Sequence, residues 1–108
     1  MSDFLIVTTT APTPEDAARI ARAVLEPRLA ACVQVVGPMT STYWWQGMVE
    51  WSTEWQVTFK TTREVYPQVE AAIRALHPYQ VPQIIAMAIV AGGADYLDWV
   101  REEVTPRG

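Results

Sequence analysis

The sequence predicts an α+β fold in which one four-stranded antiparallel sheet carries helices on one face, with an extra helix at the C-terminus. Three observations predict it. "DFLIVTTT" (3–10), "LAACVQVV" (29–36) and "QIIAMAIV" (83–90) are short apolar, β-branched runs of strand length. "VEWSTEWQVTFK" (49–60) alternates apolar and polar residues without a break, as a long strand with one covered and one wet face does. Between these runs lie amphipathic segments with helix caps, so the order is β-α-β-β-α-β followed by a helix. Two right-handed β-α-β crossovers turn that order into the ferredoxin-like arrangement.

Each element has a local reason. In "APTPEDAARIARAVLEPR" (11–28), Thr13 can cap a helix and Pro14 suits its first position. Glu15 and Asp16 favour the positive end of its dipole. Ala17, Ile20, Ala21, Val24 and Leu25 form the expected buried stripe, and Pro27 ends it. The second strand, 29–36, is expected to stop at a Gly37-Pro38 bend. Gln46-Gly47 supplies the positive φ of a tight turn, so strands two and three form one long hairpin. Thr62 is the expected cap of the second helix, Pro67 its first-turn proline, and Val65, Val69, Ile73 and Leu76 its inner stripe. Pro78 ends that helix by Leu76, and Pro82 forces Val81 towards extended geometry. "HPYQVP" (77–82) is therefore a stiff connection that aims His77 and Tyr79. An "AGG" turn leads into the last helix, "ADYLDWVREEV" (94–104).

At 108 residues and 12.1 kDa the chain holds one domain, 1–108. A folded monomer of this mass exposes roughly 6,000 Å² against roughly 17,500 Å² unfolded, which suffices for a core but favours association. Apolar residues make up 50% and charged ones 19%, which excludes a disordered chain. The net charge of −4, with no Lys/Arg run, excludes a nucleic-acid binder and disfavours anionic membranes. No stretch is apolar enough to span a membrane, and the N-terminus lacks the basic head and apolar core of a signal peptide. A single cysteine excludes an internal disulfide and suits a reducing cytoplasm.

The residues that bear chemistry are few. There is one cysteine, Cys32, and one histidine, His77. A lone cysteine in an apolar strand reads first as a small buried hydrophobe. A lone histidine at a helix end reads first as a structural residue held by backbone or a carboxylate. One of each cannot close a zinc site, whereas a soft ion such as Cu(I) is content with fewer ligands. Glu50 and Glu54 share a strand face but stand about 13 Å apart, too far for acid–base partnership. No phosphate-binding glycine pattern and no nucleophile elbow is present, so no catalytic residues are assigned and the chain does not read as an enzyme. Tyr43, Trp44, Trp45, Trp51 and Trp55 crowd the outer half of the hairpin, an arm too long for so small a core to cover. Other subunits are expected to cover it.

Taken together, "RLAACVQVV" (28–36), "STYWWQG" (41–47), "FKTT" (59–62), "HPYQVPQIIA" (77–86) and "DYLDWV" (95–100) resemble the CutA family of divalent-cation tolerance proteins, over Phe4 to about Val104. The resemblance implies a fold similar to the PII signalling proteins and a homotrimer whose hairpins reach across neighbours. It also implies tolerance to copper and other divalent metals, with no firmly attached catalysis and no obligatory cofactor. By matching position it makes Cys32 and His77 the metal candidates. This chain departs from the family pattern at Gln80 and Gln83, where Glu is common, and at Gln34 and Met48. The loss of two carboxylates disfavours an oxygen-rich metal site near His77. Two alternatives remain open. One is a PII-like sensor with a small ligand between subunits, for which Lys60, Arg63 and Tyr79 are the candidates. The other is a trimeric interaction scaffold.

Overall fold

The computed structural model describes residues 2–106. Along the chain run β1 (Phe4–Ala11), α1 (Pro14–Leu25), β2 (Cys32–Trp45) and β3 (Met48–Thr62). A 3-10 turn at Arg63–Val65, α2 (Tyr66–Leu76), β4 (Ile85–Ala88) and α3 (Ala94–Glu103) follow. The strands form one antiparallel sheet in the order β2-β3-β1-β4, the order that the two predicted crossovers generate. The α+β, ferredoxin-like class is therefore the observed one.

Helix α1 starts as its sequence directs. The Thr13 backbone is extended, its Oγ1 accepts the Asp16 N–H at 3.0 Å, and Pro14 fills the first turn. Its inner face is narrower than the spacing suggests: Ala17, Ile20 and Val24 are fully buried, but Leu25 is 40% exposed. The chain leaves the helix through Arg28 at φ 63, and the Arg28 and Leu29 N–H groups cap the Leu25 and Val24 carbonyls. Val69 and Ile73 of α2 meet Val7, Val57 and Phe59 of the sheet in the core.

Three expectations change in detail. First, β2 does not stop at Gly37-Pro38 but runs on to Trp45. The ladder passes from the Val36–Gln56 pair to the Met39–Glu54 pair, so one extra residue is absorbed as a bulge. The strand also begins at Cys32 rather than Leu29. Second, Thr62 makes no side-chain cap; a 3-10 turn intervenes and α2 starts at Tyr66, with Pro67 in its first turn as expected. Third, β4 has only four residues, because the segment before it is held in a loop. Helix α3, whose side of the sheet the sequence left open, does not join α1 and α2. By register Phe4 and Cys32 stand on the face opposite Val57 and Phe59, and α3 meets both. The Arg101 guanidinium lies 4.7 Å from the Phe4 ring centre, and Tyr96 sits beside Cys32.

Strand β1 pairs with β3 only as far as Ala11–Trp55, so the β2–β3 hairpin projects beyond the rest of the sheet. Its two-residue turn, Gln46 at φ 50 and Gly47 at φ 80, has both residues left-handed, as the tight hairpin requires. The projection stretches the molecule to 44 × 28 × 22 Å, with a radius of gyration of 14.4 Å. A compact chain of this length has about 13 Å. The exposed area, 6713 Å², likewise exceeds the roughly 6,000 Å² of a compact monomer.

Candidate functional site

His77 ends α2 in extended backbone. Its Nδ1 accepts the Tyr79 N–H at 3.2 Å, so the ring proton belongs on Nε2, which donates to the Thr10 carbonyl at 2.6 Å. The imidazole thus straps the 77–83 loop to the end of β1, a backbone-held histidine as the sequence suggested. The rings of His77 and Tyr79 lie 4.8 Å apart at a tilt, which fixes the direction of the phenol. The Tyr79 O–H donates to Glu54 Oε2 at 2.7 Å. Burial first, then the hydrogen bond and charge of Glu54, push Tyr79 well above the ordinary phenol range.

Glu54 is the residue that sequence reasoning missed. Alternation placed it on the wet face of β3, yet it is only 6% exposed. It lies just beyond the end of β1, where the 77–83 loop takes the place of a neighbouring strand. No local signal marks this, since its partner is Tyr79, 25 residues away. Between the loop and the projecting hairpin opens a groove of about 910 Å³, lined by Glu50, Glu54, Tyr43, Trp44, Trp45 and Tyr79 among others. Gln80 and Gln83 border the same groove.

The other candidates lie at the opposite end of the sheet. Cys32 is a free, half-buried thiol that pairs across the ladder with Lys60, which in turn faces Ile6. It is not a core residue: register puts it with Gln34 on the face that α3 partly covers. Tyr96 there is raised by burial first and by the neighbouring Cys32. The Lys60 ammonium donates to the Gln34 side-chain oxygen, and Arg63 Nε donates to the Ser2 carbonyl at 2.7 Å. Ile6 and Thr10 are four residues apart along β1, so Cys32 and His77 are separated by about 13 Å or more. Lys60 lies six residues along β3 from Glu54, the partner of Tyr79, so about 20 Å separates those two strand positions, and Arg63 lies further still. One chain therefore brings together neither the two metal candidates nor the three cleft candidates.

Of the five arm aromatics, Trp44 and Trp51 are 74% and 71% exposed, and Tyr43 and Trp45 are partly exposed. Trp55 differs, because it packs against the core cluster and lies where a Cβ on Gly37 would fall. Among the described residues no group of three or more His, Cys, Asp or Glu side chains is placed to hold a metal ion. With both His77 nitrogens engaged, the chain's residues do not fit a closed divalent site. The Cys32 thiol remains as a soft, accessible donor.

The comparisons agree with this architecture. Residues 5–103 match the family model described as CutA1 divalent ion tolerance protein. The chain is 46% identical over 97 residues to the divalent-cation tolerance protein CutA of Thermus thermophilus, covering 90% of this chain and 94% of that one. It is 40% identical over 104 residues to the protein of the same name from Archaeoglobus fulgidus, covering 96% and 99%. The solved structure of the Thermus thermophilus divalent cation tolerance protein superposes with a TM-score of 0.92 at 44% identity, covering 94% of this chain and 99% of that one. The CutA structure from Xylella fastidiosa gives 0.93 at 36% identity, covering 96% and 100%. With nearly its whole length matched in sequence and in fold, this chain belongs to the CutA1 family of divalent ion tolerance proteins.

Proposed function

We propose that this protein serves divalent metal tolerance as a cytoplasmic homotrimer, without catalysing a reaction, and that copper is the ion it takes. The observation that carries the assembly is the bare arm. Trp44, Val49 and Trp51 stand on one face of the hairpin, with Trp44 directly opposite Val49. They are 74%, 57% and 71% exposed, and they continue the Trp55-Val57-Phe59 stripe beyond the reach of α1 and α2. A contiguous apolar surface of this kind marks an interface, and copies of the same chain are the occupants that its length and the family support. Val36, Ile85 and Met87 add exposed apolar side chains on the sheet face opposite α1 and α2.

Copper fits the donor set better than a hard ion does. The one thiol is Cys32, whose thiolate suits Cu(I), while hard divalent ions need several converging oxygens. His77 can join it only if a second copy brings the two together and the strap to Thr10 opens. Titration of the reduced protein with Cu(I) and Cu(II), beside Cys32→Ser and His77→Ala, tests the assignment. Cys32→Ser is expected to abolish Cu(I) binding, and His77→Ala to lower stability more than affinity. Copper affinities unchanged in both variants would overturn the site.

A further inference from the structure

Glu54 is the one carboxylate among the described residues that is more than nine-tenths buried, and its set of partners is incomplete. Its Oε2 accepts from Tyr79, its Oε1 has no partner among the described residues, and no Lys or Arg lines the groove beside it. A carboxylate withdrawn from water and held by one neutral donor calls for a cation. The groove wall of Tyr43, Trp44 and Trp45 belongs to the surface that neighbouring copies cover, so a neighbouring copy is the source from which a cation can come.

The same chain carries the complementary group. Lys60 is half-buried, yet the partner of its ammonium is the neutral side-chain oxygen of Gln34, and no carboxylate among the described residues pairs with it. Arg19, Arg22, Arg28, Arg74 and Arg101 each have an acid beside them, and Arg63 is turned to the Ser2 carbonyl. Lys60 and Glu54 stand on one face of β3, the face opposite α1 and α2, six residues and about 20 Å apart. A lysine side chain cannot span that distance, so the two do not meet within one chain. In register with Lys60 across the sheet lie Cys32, Ile6 and Met87, and the exposed Met87, Ile85 and Val36 make this face an apolar surface of the kind that marks an interface. A buried anion towards one end of that face and a half-buried cation towards the other form the charge pattern of a head-to-tail contact. Repeated round a closed ring, such a contact leaves neither group unpaired.

We propose that Lys60 of a neighbouring copy completes the Glu54 site, its ammonium on Oε1 beside the Tyr79 hydroxyl, so that each interface holds one buried ion pair. The pair presupposes association of the copies and fixes which end of one copy meets which end of the next. Subunit exchange tests it. Assembled, reduced and metal-free protein is mixed with isotope-labelled protein, and the mixed species are followed by native mass spectrometry. Lys60→Met and Glu54→Gln are each expected to exchange about thirtyfold faster than wild type, because one partner of a buried pair is left alone. The double variant is expected to exchange no faster than the faster single one, since both changes remove the same contact. Two independent sites about 20 Å apart would add instead. Should Glu54→Gln fail to fold, Lys60→Arg decides: its kept charge is expected to hold exchange within about threefold of wild type. Exchange as slow as wild type in Lys60→Met, additive effects in the double variant, or Lys60→Arg as fast as Lys60→Met would each overturn the pair while association of the copies stands. A wild type found only at the single-chain mass of 12.1 kDa would overturn both.

Discussion

Tyr79 joins two segments that lie 25 positions apart, and its hydroxyl is the sole described partner of Glu54. Tyr79→Phe is expected to cost about 1–2 kcal/mol at neutral pH, read by urea unfolding, because it strands a buried carboxylate. The pH dependence follows from the raised pKa. The fold favours the protonated phenol, so this stabilisation is whole below the unfolded value of about 10 and fades as pH rises from there towards the higher folded value. The gap between wild type and Tyr79→Phe should therefore narrow above about pH 10; a gap that widened would contradict the coupling. Thr9 makes the opposite case. Its hydroxyl is fully buried and has no partner among the described residues. Thr9→Val removes an unmet polar group at nearly constant volume and is expected to raise stability by about 1 kcal/mol, visible as a higher Tm.

At the level of elements, what is local was legible and what is long-range was not. Thr13-Pro14 announced α1, and Gln46-Gly47 announced the hairpin turn, because both signals act within a few residues. The termination expected at Gly37-Pro38 was wrong because the β2–β3 ladder on either side carries the strand through a bulge. The side chosen by α3 and the burial of Glu54 depend on Cys32, Phe4 and Tyr79, all remote in sequence. The candidate site divides the same way. The proline-stiffened loop and its histidine could be read directly, whereas the carboxylate it covers looked like one more polar residue of an alternating strand. The bulge also explains its glycine. A Cβ at Gly37 would overlap the Trp55 indole, so Gly37→Ala must push that ring off the core. It is expected to cost about 1–3 kcal/mol in chemical denaturation, with a red shift in tryptophan emission as the ring loosens. An unshifted, fully stable variant would show that the indole has room to move.

The whole molecule is a small ferredoxin-like body with an arm that it cannot cover by itself. The core of α1, α2 and the inner sheet is complete in one chain, whereas the outer half of the hairpin leaves two tryptophans more than 70% exposed. No helix among the described residues is long and apolar enough to cross a membrane, so that apolar surface is not part of a helical span. Association of copies reconciles the 44 Å length with the chemistry of the arm. Whether copies cover the arm is read most plainly from the light-scattering mass of the wild type and of Trp51→Glu in dilute buffer. About three times the 12.1 kDa chain mass is expected for the wild type, and a smaller species for the variant. A wild-type mass of 12.1 kDa, with Trp51→Glu unchanged, would contradict an arm built for association.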